Sequence, residues 1–141
     1  AFTSLADKVE ATGQVLAIEP NPAAYGTNFL TTVDAVCDFV ASCDHPAITI
    51  NFDTGALHMN DEADKAVILF QRALPKVSHI HISEAWLAPV PSERAWLEGF
   101  ARMVKESDFQ GWVSIEMKRP EHDPLRKIEA ALEAVSTAFT N

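Results

Sequence analysis

Glu19, Asp53, His81 and Glu116 are residues that bind metals or move protons, and they recur at intervals of roughly 30 residues, about one strand–helix unit each. Each closes or nearly closes a short apolar run: "QVLAIEP", "AITINFD", "KVSHIHIS" and "GWVSIEM". Strand side chains alternate between faces, so Thr49, Asn51 and Asp53 share one face and Ile48, Ile50 and Phe52 the other. By the same parity Val77, His79 and His81 oppose Ile80 and Ile82, and Ser114 and Glu116 oppose Val113 and Ile115. Three carboxylates and an imidazole on the polar faces form an oxygen-and-nitrogen donor set suited to a hard or borderline divalent cation. Without a cation, burying three carboxylates together would force protons onto some of them. Taken singly, an acid at a strand end is more often a helix cap, and a strand histidine more often a packed residue. The fourfold recurrence is what points to a site. His79, one pleat deeper, is expected as a hydrogen-bonded interior residue supporting His81. His45 and His122 fall in loops and take no role.

The elements that must position these residues alternate strictly. Phe2, Leu5, Val9 and Thr12 follow helical spacing, and Gly13 stops that helix. The first strand and the loop "NPAAYGTN" lead to a helix with Phe29, Val33, Val36 and Val40 on one stripe. After the second strand, "TGALHMN" reads as a turn. Asn60 then caps a helix bearing Ala66, Phe70 and Ala73, stopped by Pro75. The third strand follows, then a helix capped by Ser92 with Trp96, Phe100 and Val104, and the fourth strand. Asp123 caps the last helix with Pro124 at its first position; Leu125, Ile128, Leu132, Val135 and Phe139 form its core-facing stripe. Four strand–helix units behind one leading helix predict an α/β fold with a parallel sheet, residues 1–141 forming a single (β/α)4 domain. Active sites of parallel α/β sheets and barrels lie at the carboxyl ends of the strands, where the four residues fall.

Composition narrows the function. Lys and Arg number 11 against 20 Asp and Glu, a formal charge of −9, which disfavours a nucleic-acid or anionic-membrane partner. Apolar runs such as "AVILF" fall far short of the ~20 residues that span a bilayer, and no charged-then-apolar leader opens the sequence. A soluble cytoplasmic protein is expected, with Cys37 and Cys43 as free thiols.

At these residues the sequence resembles the xylose isomerase-like TIM-barrel superfamily, which includes sugar isomerases and epimerases and the endonuclease IV group. The matching pieces are "AIEPN" with Glu19, "NFDTGALHMN" with Asp53 and His58, "HIHISE" with His81 and Glu84, and "SIEMK" with Glu116. The resemblance implies the C-terminal half of a TIM barrel, with Glu19, Asp53, His81 and Glu116 holding one divalent ion: Mn, Mg or Co, with Zn possible. It implies an isomerase or epimerase of a sugar or small hydroxy-ketone, in which Glu19 and Glu116 transfer a proton through a metal-stabilised enediolate. His58, Glu84, Tyr25 and Trp86 would contact substrate or wall its pocket. Ketose 3-epimerases of this type carry a Glu six residues after the first metal Glu and an Arg six after the metal His. Tyr25 and Leu87 stand there, so a free-ketose 3-epimerase is not implied. Lys118 and Arg119 follow the last strand, where barrels often bind phosphate.

A dehydratase or lyase on the same scaffold, or a non-catalytic half-barrel, is the alternative; the charge argues against an endonuclease-like phosphodiesterase. A complete barrel takes about 250 residues, and four parallel strands alone leave two open edges. The chain is therefore expected to be a C-terminal fragment that self-associates or pairs with a missing N-terminal half-barrel.

Overall fold

A computed structural model describes residues 2–140. Helix α1 (Phe2–Glu10) leads into strand β1 (Leu16–Ile18), helix α2 (Val33–Cys43) and strand β2 (Ile48–Asp53). Helices α3 (Thr54–Met59) and α4 (Ala66–Ala73) precede strand β3 (Val77–Ser83). Helix α5 (Arg94–Lys105), strand β4 (Trp112–Glu116) and helix α6 (Pro124–Thr140) complete the chain. The strands form one sheet in the order β1-β2-β3-β4, every neighbour parallel, as the strand–helix alternation predicts. Among the described residues the outer edges of β1 and β4 are unpaired.

The apolar parity set of each strand turns toward the helices. Ile48, Ile50, Phe52, Ile80 and Ile82 are buried against Val36, Val40, Phe70, Leu97 and Phe100. Phe52 meets Phe70 edge-on with ring centres 5.2 Å apart, and Phe100 in a stacked arrangement at 5.9 Å. Arg72 of α4 pairs with Asp34 and with Asp38, one turn apart on α2, locking these helices side by side. Cys37 and Cys43 are free. No helix of the described residues is long and apolar enough to cross a membrane.

Several boundaries differ from expectation, each for a local reason. Phe29 lies outside α2, because Thr32 caps that helix, its Oγ1 accepting from the Ala35 amide at 3.2 Å. The segment "TGALHMN" is a helix, not a turn: Asp53 caps α3 through Oδ1, which accepts from the Ala56 amide at 2.6 Å. Asn60 ends α3 rather than starting α4, donating from its backbone to the Ala56 carbonyl and from Nδ2 to the Thr31 carbonyl at 2.9 Å. Ser92 does not cap α5; its Oγ donates to the Glu84 carboxylate at 2.6 Å, and Glu93 holds the cap position without a side-chain bond. Asp123 precedes Pro124 as expected, its carbonyl accepting from the Lys127 amide at 3.1 Å. The largest difference is on α6. Its buried face is Ala131, Ala134, Val135 and Ala138, set largely against α5. Leu125, Ile128 and Leu132, expected in the core, instead line an open groove of about 1200 Å³ beside Val113, Ile115 and Met117.

Candidate metal centre

The polar faces converge at the carboxyl ends of the strands. Strand register sets Asp53 beside His81 and Ser83 beside Glu116, while Glu19 directly follows β1. His81 Nδ1 lies 3.3 Å from Glu116 Oε2, 3.4 Å from Glu19 Oε2 and 3.9 Å from Asp53 Oδ2. One candidate ligand atom from each residue falls within 4.8 Å of the other three. Donors about 2.1 Å from a shared cation stand about 3.0–4.2 Å apart, so these residues fit a divalent ion with little movement.

Asp53 is held from two directions. Oδ1 caps α3, and Oδ2 accepts from Ser83 Oγ at 2.7 Å; that hydroxyl in turn accepts from the Gly55 amide at 2.7 Å. Thr54 Oγ1 donates to the Ser83 carbonyl and accepts from the Ser83 amide, stitching the start of α3 to the end of β3. The approach is close enough that a Cβ on Gly55 would lie 2.7 Å from Ser83 Oγ and 2.8 Å from the Glu84 carbonyl oxygen. Asn51 completes the inner layer, its Nδ2 standing 2.8 Å from Glu19 Oε2 and 3.0 Å from His81 Nδ1. His79 pairs with Ser114 Oγ at 2.7 Å and sets its ring edge-on to His81 at 5.1 Å. It thus ties the imidazole layer to β4.

The electrostatics carry the mark of crowded acids. Burial pushes Asp53 up to about 6, helped by the Glu19 and Glu116 charges and opposed by its bonds from Ser83 and Ala56. The His81 imidazole beside Glu19 holds that carboxyl below its ordinary range, and Glu19 in turn raises His81. Burial, with the neighbouring His81 charge, lowers His79. A divalent cation would supply counter-charge to three carboxylates, and the donor set suits one.

A small cleft of about 170 Å³ opens over the cluster, lined by Glu19, Asp53, Glu116, Tyr25, Glu84 and Leu87. Tyr25 meets Trp86 edge-on at 5.3 Å, joining the loops that follow β1 and β3. Glu84 is fixed by bonds from the Ser92 amide and hydroxyl at 2.8 and 2.6 Å. His58 packs against Trp96 of α5, the rings tilted at 60° with centres 4.5 Å apart, rather than lining the cleft. Lys118 and Arg119 border the α6 groove instead. Asn51, Ser83 and Thr54 were not singled out from the sequence as site residues; parity alone could have flagged Asn51 and Ser83, which share faces with Asp53 and His81.

A family model described as "Xylose isomerase-like TIM barrel" matches residues 1–138. No protein of curated function matches by sequence. Solved structures do match in fold. The 3-keto-D-glucoside 4-epimerase YcjR from E. coli superposes with a TM-score of 0.81 at 18% identity, covering 95% of this chain and 50% of that one. D-psicose 3-epimerase from Clostridium cellulolyticum H10, solved with D-tagatose, gives 0.83 at 16% identity, covering 97% and 53%. A family 2 AP endonuclease from Brucella melitensis gives 0.74 at 19%, covering 96% and 51%. The chain spans about half the length of these proteins, and the four-stranded parallel sheet with its helices matches half of a TIM barrel.

Proposed function

The chain belongs to the xylose isomerase-like TIM-barrel family, and from that premise we propose that it carries the metal centre of a divalent-metal-dependent isomerase or epimerase acting on a sugar or small hydroxy-ketone. The observation that carries this reading is the convergence of Glu19, Asp53, His81 and Glu116 from four successive strands onto one point. These four would hold the cation, for which Mn, Mg, Co and Zn all suit three oxygens and one nitrogen. When bound, the cation supplies positive charge against the negative charge that develops on a carbonyl oxygen during proton abstraction.

The chain's own groups divide the remaining work. Glu19 and Glu116 reach the centre from the two outermost strands, so they approach a bound molecule from different sides. One carboxylate takes the proton from the carbon beside the carbonyl, leaving an enediolate, and the other returns a proton to the neighbouring position or the opposite face. His81 and Asn51 keep Glu19 ionised and ready to accept. Asp53, fixed by α3 and Ser83, does not swing. Tyr25, backed by Trp86, and Glu84, anchored by Ser92, would wall the substrate cleft. His58 joins the cleft only by leaving Trp96.

We further propose that turnover needs a complementary half-barrel, because the four strands that carry these residues match only half of a TIM barrel. Elemental analysis of the chain is the primary test: about one divalent ion per chain, lost in both Asp53→Ala and His81→Ala, is expected. Folded wild-type protein that takes up no divalent ion would sink the metal reading. Exchange of a substrate carbon-bound proton with solvent deuterium, followed by NMR after adding the complementary half, then tests the chemistry.

A further inference from the structure

Asn51 stands between two of the converging residues without being a candidate ligand. It lies on β2, while its two partners lie beyond β1 and on β3, so its amide spans three strands. The residue is 6% exposed, and Nδ2 donates to Glu19 Oε2 at 2.8 Å while standing 3.0 Å from His81 Nδ1. Oδ1 is buried and has no hydrogen-bond partner among the described residues. Turning the amide over would set Oδ1 against the Glu19 carboxylate, two acceptors face to face. The orientation is therefore chosen by Glu19, and it leaves a buried carbonyl unpaired, an arrangement that folding by itself disfavours.

The two acidic neighbours differ in how much they need such a partner. Asp53 has a helix cap and a serine hydroxyl. Glu19 follows a three-residue edge strand, its side chain is 45% exposed, and Asn51 is its hydrogen-bond donor apart from the His81 imidazole. Released by Asn51, Glu19 can rotate into solvent.

We propose that Asn51 is a positioning residue that sets metal affinity without ligating: it holds Glu19 Oε2 beside His81, at the spacing a divalent cation requires. This rests on reading the four residues as a cation site. Residues that orient metal ligands are worth about 10–100-fold in affinity. Glu19 is the ligand through which Asn51 acts, so the two must be coupled.

The test is a double-mutant cycle on the 141-residue chain with Mn²⁺ binding as readout, using Asn51→Leu, Glu19→Ala and the pair. Co²⁺ visible absorption reports ligand geometry in parallel, and Asn51→Ser is carried alongside in case leucine impairs folding. Asn51→Leu is expected to weaken Mn²⁺ binding about 10–100-fold when Glu19 is present and to change little once Glu19 is alanine. The Co²⁺ spectrum of the single variant should move toward that of Glu19→Ala. Wild-type affinity in Asn51→Leu and Asn51→Ser overturns the proposal, as does an equal loss in both Glu19 backgrounds, which would mean that Asn51 acts on the fold as a whole. A wild-type chain that takes no Mn²⁺ fails differently, removing the cation reading itself and this inference with it.

Discussion

Asp53 is where the needs of folding and of the proposed chemistry diverge. Its carboxyl, nearly dehydrated and facing two other acids, titrates at about 6 instead of 3.8. A group whose pKa is raised by folding contributes stability that is full below its unfolded value and is lost as pH climbs through the folded one. For Asp53 that loss falls between about pH 4 and pH 6 and amounts to about 3 kcal/mol. His81 is raised too, so its contribution is lost at higher pH, above the ordinary imidazole range, in the same direction. Glu19, lowered, works the other way but only in acid, its contribution disappearing as pH falls below the usual carboxylate range. Metal-free protein should accordingly be less stable in urea at pH 6.5 than at pH 4.5, and Asp53→Asn should stabilise it at pH 6.5 while abolishing metal uptake. Stability that holds or rises over that interval would contradict the account of Asp53. The placement of these residues was legible from strand parity, because a period of two needs no knowledge of the neighbouring strand. Parity also puts Asn51 and Ser83 on those faces, but not which residues they bond, since which polar residue meets which depends on register between strands, and register leaves no trace in a single segment.

At the scale of elements, α3 decides where Asp53 points. Six residues are too few to form a stable helix in isolation, and "TGALHMN" accordingly reads as a turn. What makes it helical is the local Asp53 cap together with a tertiary contact, that of Gly55 with the end of β3. Asn60 and Ser92 looked like helix starts for a related reason, their side chains being good caps that the folded chain uses elsewhere, on the Thr31 carbonyl and on Glu84. Gly55→Ala is predicted to cost about 1–3 kcal/mol, because Ser83 and the Glu84 backbone must both move. It should also lower metal content by turning Asp53. Gly99, inside α5 with nothing within 4 Å of an added Cβ, is the contrasting case: Gly99→Ala should stabilise by about 0.5–1 kcal/mol and leave metal content unchanged. Thermal melts of the two variants with parallel metal analysis separate site geometry from general stability. Equal behaviour of the two would count against the tight α3–β3 seat.

At the scale of the whole molecule, the residues that departed most from expectation share one side. Leu125 is 75% exposed and Leu132 56%, both in the groove beside Val113 and Ile115. The α6 stripe has ideal helical spacing, and spacing cannot say whether a strand lies beneath it; here β4 is the edge. A contiguous apolar groove beside an unpaired parallel edge is a surface that seeks cover. Pairing the β4 edge of one copy with the β1 edge of another is head-to-tail, and such contacts either close a ring or continue. Closure by two copies is opposed by the helix layer: α1 leads into the β1 edge and α6 follows the β4 edge, so both helices would compete for the single seat over the joint between copies. A complementary half that brings no helix of its own to that joint escapes the conflict. The chain alone is therefore predicted to associate without a fixed stoichiometry, its weight-average mass in sedimentation rising with concentration. Leu125→Glu with Leu132→Glu should return it toward monomer without changing its metal content. A plateau at the dimer would refute the helix-seat argument, and a monomer at every concentration would show that the groove does not drive association.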